Sequence, residues 1–237
     1  MNNEQRIVIG YKGLIGSAIY QLFDAHVGID KGIETGPYSE PKNGKTRIMH
    51  ICIPYGPEFE NIVQEYIDRL EPMYTLIHST VPPGTTRNIQ FKTEQPIVHV
   101  PFHGHHTDGK YSPVSTVKDP FLYIMSVGCI DQKTGSIICD YVNRFGFHSE
   151  LQTAETTEFA KIMSTNLILC VIKEWSRHNK LADKTKHVDW NGVVNIIKDI
   201  AIHEPYNYLN RTFQHVGTID SEMSGKHCLT DNKGMLS

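Results

Sequence analysis

The chain has 237 residues, 39% of them hydrophobic and 21% charged, with 23 basic and 26 acidic side chains giving a net charge of -3. That length suffices for one large domain, or for a domain of about 150 residues with a smaller companion, and for a buried core. The near balance of charge, without a like-charge run, argues against nucleic acid or an anionic membrane as partner and leaves a small molecule as the expected ligand.

The polar start Met1-Asn2-Asn3-Glu4-Gln5 has no signal-peptide apolar stretch, and no apolar run reaches the roughly 18 residues that cross a bilayer. A cytoplasmic protein is expected. Arg6 to Gly10 then reads as a strand, followed by Leu14, Ile15, Ala18, Ile19, Leu22 and Phe23 at helical spacing. Further strands are predicted at His26 to Asp30, Arg47 to Pro54, Tyr74 to Ser79, near Ile97 to Val100 and at Phe121 to Val127. Helices are predicted after Pro57 and from Gly84, while Lys31 to Thr46, rich in Gly, Pro, Ser, Lys and Asn, reads as a loop. This alternation predicts an α/β fold, a doubly wound Rossmann-type parallel sheet over residues 1–150, with ligands at the C-terminal ends of the strands. Residues 151–237 are expected to form a small helical domain. Its first helix, Thr153 to about Lys180, is nearly encircled by apolar residues and is expected to be a buried central helix. Asp189 reads as the N-cap of a second helix ending near Pro205, and Tyr206 to Ser237 as irregular.

The turn Gly10-Tyr11-Lys12-Gly13-Leu14-Ile15-Gly16 keeps the last two glycines of the dinucleotide fingerprint, but Tyr11 stands where the first is expected. Gly13 would let backbone approach a pyrophosphate, Gly16 would let the helix pack closely on the sheet, and the helix N-terminus would offer amide donors. Asp30, twenty residues after Gly10, is placed to accept from adenosine ribose hydroxyls, which favours NAD over NADP. A strand-to-helix turn without a nucleotide is the bland alternative. Ser79 and Thr80 close a strand before Val81-Pro82-Pro83-Gly84, where hydroxyls face the ligand crevice or act as a turn device. The five cysteines, Cys52, Cys129, Cys139, Cys170 and Cys228, are odd in number and widely spaced, as expected of reduced thiols. Cys228 follows Lys226 and His227, which would lower its pKa and favour the nucleophilic thiolate; a packed tail is the alternative.

These segments, with Ile51-Cys52-Ile53-Pro54, Ser79-Thr80-Val81-Pro82-Pro83-Gly84-Thr85-Thr86, Glu158-Phe159-Ala160-Lys161 and Gly225-Lys226-His227-Cys228, together resemble the UDP-glucose/GDP-mannose dehydrogenase family in order and approximate separation. The resemblance implies NAD, held around Gly10 to Gly16, Asp30, Pro54, Ser79 and Thr80. It implies oxidation of a primary alcohol through a cysteine-bound thiohemiacetal, with Cys228 as nucleophile, Thr80 as an active-site threonine and Lys161 stabilising alkoxide charge. A homodimer paired through the long helix is expected.

The departures from the family are equally specific. The family's asparagine, four residues past the lysine, is Thr165 here, with Asn166 one step further. Four residues on a helix leave two side chains about 40° apart and five leave them about 140° apart; either Thr165 takes the role or a π-bulge brings Asn166 round. Lys226 replaces a glycine before Cys228, and Asn232 holds the polar position four residues after it. Where the family has a glutamate for thioester hydrolysis, this sequence reads Val100-Pro101-Phe102-His103-Gly104. The family's second nucleotide-sugar-binding domain is not in this sequence, so a nucleotide sugar or a smaller alcohol is the expected substrate. His99, His103, His105 and His106 fall within eight residues; zinc binding is one reading, and a solvent-exposed histidine-rich loop is the expected one. Other readings are a non-catalytic NAD- or nucleotide-binding protein, and a 6-phosphogluconate or 3-hydroxyacid type of dehydrogenase that needs no cysteine.

Overall fold

A computed structural model describes residues 4–36, 46–102, 105–107, 110–112 and 124–203. Strand β1 (Glu4–Ile9) leads through the glycine turn into α1 (Leu14–Leu22), then β2 (Val27–Asp30), β3 (Ile33–Thr35) and β4 (Thr46–Ile51). Helix α2 (Phe59–Leu70), β5 (Tyr74–Ile77), α3 (Thr85–Thr93) and β6 (Ile97–His99) follow. A short hairpin, β7 (His105–Thr107) with β8 (Lys110–Ser112), precedes β9 (Ile124–Cys129), α4 (Gln132–Asn143) and β10 (His148–Thr153). The long helix α5 (Ala154–Ala182) and α6 (Trp190–His203) complete the described chain.

Among the described residues, eight strands form one sheet in the order β10-β9-β6-β5-β4-β1-β2-β3. The pairs β1–β2, β1–β4, β4–β5, β5–β6 and β9–β10 are parallel, while β2–β3 and β6–β9 are antiparallel. Alternation along β1 explains the layering: Val8 faces Ile19, Phe23 and Tyr141 on the α1 and α4 side, and Ile7 and Ile9 face Phe59, Val63, Ile67 and Ile89 on the α2 and α3 side. Both faces are buried, as a doubly wound sheet requires. The direction of strand order reverses between β1 and β4, which opens a crevice beyond their C-terminal ends.

Three expectations are corrected. The segment after Lys31 does not begin as a loop: Ile33 pairs with Asp30 across a two-residue Lys31-Gly32 turn, and Gly32 takes φ +73°, which a side chain disfavours. The sheet is mostly parallel as expected, with β9 running against β6, but the strands do not stop at residue 150: β10 continues the sheet across it straight into α5. Helix α5 has the expected length but is not buried. Ile162 is enclosed, whereas Phe159, Met163 and Leu167 are 47%, 50% and 55% exposed, because the helix meets β6, β9, β10 and α3 along one side only. Asp189 caps α6 as its position predicts, accepting from the Asn191 and Gly192 amides at 3.0 and 3.1 Å. The segment Tyr206 to Ser237, with Cys228 and Asn232, lies outside the described residues.

Candidate functional site

The glycine turn is built by close backbone approach. Gly10 has φ +81°, donates its amide to the Ile29 carbonyl at 2.7 Å, and a Cβ on it would stand 2.7 Å from the Cys52 carbonyl oxygen. A Cβ on Gly16 would collide with the Gly10 carbonyl oxygen, so Gly16 lets α1 start against the end of β1. Gly13, extended and without a capping side chain, precedes the first amides of α1, which have no partner within the helix. Lys12, Gly13 and Leu14 are exposed, and Ile15 half-buried. This open turn at a helix N-terminus, with glycine at positions 10, 13 and 16, fits a dinucleotide pyrophosphate.

Asp30 stands at the rim of the turn, its Oδ2 accepting from the Lys12 amide at 3.0 Å and Oδ1 from the Lys31 amide at 2.9 Å. Those bonds aim the carboxylate across the turn. Tyr11 points inward, over Gly28, where a Cβ would stand 2.6 Å from the ring's Cγ, and lies 5.8 Å from the Tyr20 ring. Gly28 therefore accommodates the departure at Tyr11, a compensation that β-strand periodicity alone does not reveal.

The exits of β4, β5 and β6 are tied together edge to edge. Ser79 Oγ donates to the Ile53 carbonyl at 2.6 Å, so the Ser79 hydroxyl is spent on β4, beside exposed Pro54 and half-buried Thr80. Lys161 on α5 reaches the β6 exit, its Nζ donating to the Phe102 carbonyl at 2.8 Å. Helix α5 is α-helical throughout, so no π-bulge turns Asn166 toward Lys161. Thr165, buried one turn on, donates to the Lys161 carbonyl at 2.9 Å. Asn166 Oδ1 is buried and has no hydrogen-bond partner among the described residues. Lys161, Thr80 and the glycine turn thus all lie at the C-terminal edge of the parallel strands.

Sequence reasoning missed a set of buried histidines behind this edge. His99 is not in an exposed loop: it is fully buried, with Nε2 3.1 Å from the Ser79 carbonyl and Nδ1 2.8 Å from Thr157 Oγ1. A carbonyl only accepts, so Nε2 carries the proton and Nδ1 accepts from Thr157, whose single hydroxyl proton then goes to the imidazole in competition with the Ala154 carbonyl 2.9 Å away. The same logic orders a second array. His78 Nδ1 lies 2.7 Å from the Val100 carbonyl and must donate; its Nε2 then accepts from His50 Nδ1 at 2.9 Å, and His50 Nε2 accepts from Tyr141 Oη at 2.9 Å. Every member is neutral. Burial pushes His78 down to about 4 and His99 to about 3, and holds His50 well below the usual imidazole range with help from His78 and Arg6. Because the array ends on an amide carbonyl, it fixes geometry and conducts no proton onward. The signal was present in the sequence as His50, His78 and His99 inside apolar strand runs, where a polar side chain needs internal partners. Among the described residues no group of three metal-binding side chains occurs; His103 lies outside them.

The fold is of the Rossmann-type α/β class, with a glycine-turn crevice of the kind that holds dinucleotides. No protein-family model and no curated protein matches the sequence. Solved structures do match the fold: a UDP-D-ManNAc dehydrogenase from Pyrococcus horikoshii at TM-score 0.61 and 16% identity, covering 98% of this chain and 69% of that one. A UDP-glucose dehydrogenase from Pyrobaculum islandicum matches at TM-score 0.59 and 14% identity, over 86% of this chain and 59% of that one. A GDP-mannose dehydrogenase from Pseudomonas aeruginosa matches at 0.57 and 17%, over 82% and 56%. The chain thus shares the fold of nucleotide-sugar dehydrogenases while spanning 56 to 69% of the length of these three. No described helix is long and apolar enough to cross a membrane.

Proposed function

We propose that this chain is an NAD-dependent oxidoreductase acting on a primary alcohol of a nucleotide sugar, or of a smaller molecule, through the Cys228 thiolate. The observation that carries the reading is the convergence on one crevice edge of an open glycine turn, the Asp30 carboxylate, the Thr80 exit and the Lys161 ammonium. NAD, when bound, supplies the hydride acceptor. Leu14 and Ile15 offer first-turn amides to its pyrophosphate, and Asp30 exchanges its amide partners for ribose hydroxyls. Lys161 leaves the Phe102 carbonyl to stabilise negative charge on the substrate oxygen, an interaction stronger in the transition state than in the ground state. The alcohol first loses its hydride to the cofactor and its hydroxyl proton to solvent, leaving an aldehyde. The Cys228 thiolate then adds to the aldehyde carbon and the oxygen takes up a proton, giving a thiohemiacetal, with Asn232 assigned a polar role in that step, while Thr165, bonded to the Lys161 carbonyl, holds the Lys161 turn.

In this reading the division near residue 150 separates an NAD-binding unit from a helical unit, with β10 on the sheet side. Two copies pair through the exposed Phe159, Met163 and Leu167 stripe of α5, and the protein works in the cytoplasm.

The test is a fluorescence titration with NADH together with iodoacetamide labelling. NADH binding is expected, with Cys228 labelling faster than exposed Cys170 and far faster than Cys52, whose thiol pKa burial pushes up. NADH binding with slow labelling of Cys228 would point to a binding protein without thiol chemistry. Absence of NADH binding would overturn the reading.

A further inference from the structure

Beyond the groups assigned to chemistry, the two buried histidines at the strand exits form a crossed pair. His78, just past β5, reaches the Val100 carbonyl just past β6; His99, the last residue of β6, reaches back to the Ser79 carbonyl just past β5. The backbone ladder between these strands closes with the Val100 amide donating to the Ile77 carbonyl at 2.8 Å. Beyond it the diverging chains leave the Ser79 and Val100 carbonyls needing donors, and the two imidazoles supply them in opposite directions. Ser79 extends the tie to Ile53, and Thr157 ties His99 to α5 one turn before Lys161. Gly128 on β9 makes room for Thr157, since a Cβ there would fall on its hydroxyl.

We propose that His78 and His99 are positioning residues, a crossed imidazole-to-carbonyl clamp that fixes the separation of the Thr80 and Phe102 segments and so the placement of Thr80 relative to Lys161. The proposal rests on the reading of that edge as the reacting side of the crevice. The clamp uses different ring nitrogens at its two ends, Nδ1 of His78 and Nε2 of His99, and this makes it separable from mere packing. An asparagine amide nitrogen falls near Nδ1 of a histidine and a glutamine amide nitrogen near Nε2.

The experiment compares His78→Asn, His78→Gln, His99→Asn and His99→Gln by amide hydrogen exchange at Thr80, Val81 and Phe102, with NADH titration alongside. Opposite preferences are expected. His78→Asn and His99→Gln keep wild-type exchange at these amides, while His78→Gln and His99→Asn speed it about tenfold, the scale of one lost hydrogen bond. The same preference at both positions would overturn the clamp. In wild-type protein, ¹⁵N spectra of the imidazoles are expected to show His78 protonated at Nδ1 and His99 at Nε2; the reverse would overturn it even where a variant does not fold. NADH binding is read independently: its absence in wild-type protein rejects the dinucleotide reading, whereas its presence with no rescue pattern rejects the clamp.

Discussion

Thr86 and Glu158, 72 residues apart in sequence, meet at the N-terminus of α3: Glu158 Oε1 accepts from the Thr86 amide at 2.8 Å while Oε2 accepts from the Gly84 amide at 2.6 Å. Gly84, in the left-handed region at φ +95°, has no side chain with which to cap its own helix, so the long helix provides the cap from outside. The carboxylate is buried, and that burial pushes its pKa up against the amide bonds that hold it down.

Glu158→Ala is therefore expected to destabilise the fold by about 2–4 kcal/mol, since it leaves the buried Thr86 amide and the half-buried Gly84 amide without an acceptor. Glu158→Gln, which keeps one acceptor oxygen, is expected to lose roughly half as much. Urea unfolding at pH 7 of the three proteins measures both.

Stability should fall steeply in acid. His78 and His99 are held at about 4 and about 3 in the folded protein, and His50 also titrates below its ordinary range. As pH drops below about 6.5 the unfolded chain takes up protons that the folded one refuses, so the histidines' contribution is complete above that pH and lost progressively as pH falls to about 4 for His78 and about 3 for His99. Each histidine contributes at most about 1.4 kcal/mol per pH unit; coupling between stacked His50 and His78, and the positive neighbours Arg6 and Lys161, shape the curve. Urea midpoints from pH 7.5 to 4.5 are expected to decline, with a shallower slope in His99→Gln.

Tyr141→Phe removes the only donor that the array gives to His50 Nε2. The ring still stacks on Phe23, as the 5.6 Å, 10° arrangement of Tyr141 does, so packing is conserved and the loss isolates one buried hydrogen bond. A cost of about 1–3 kcal/mol is expected, measured by chemical unfolding.

Gly16→Ala tests the turn. A methyl at Gly16 collides with the backbone of Gly10, which cannot swing aside as a side chain can, so a loss of about 1–3 kcal/mol is expected. Gly13→Ala, whose Cβ would stand 3.1 Å from the Gly10 oxygen, should cost less. Thermal unfolding of the pair ranks them.

The glycine turn, α1 and the run of parallel strands through Val100 were legible in the sequence because each is a local pattern: a two- or 3.6-residue period closed by Gly or Pro. So was the Asp189 cap, which needs only its own next three residues. The β9–α4–β10 unit was less so; Asp131 does cap α4, accepting from the Lys133 and Thr134 amides at 3.2 and 2.8 Å, but nothing local says that β9 runs against β6. Helix α5 shows the limit from the other side, since its apolar circumference reads as burial although Phe159, Met163 and Leu167 stand half exposed in a single chain.

The sequence by itself determined the class of fold, because spacing along a chain specifies local geometry, and it nominates Gly10 to Gly16, Asp30, Thr80 and Lys161 for the chemistry we propose. Only the tertiary structure decided that Thr165, and not Asn166, shares the face of Lys161, that Glu158 caps α3, that His78 and His99 are neutral and locked to carbonyls, and that His50 is held between His78 and Tyr141. Those depend on which distant groups a buried polar atom finds, and a donor 20 to 90 residues away leaves no period in the sequence to announce it.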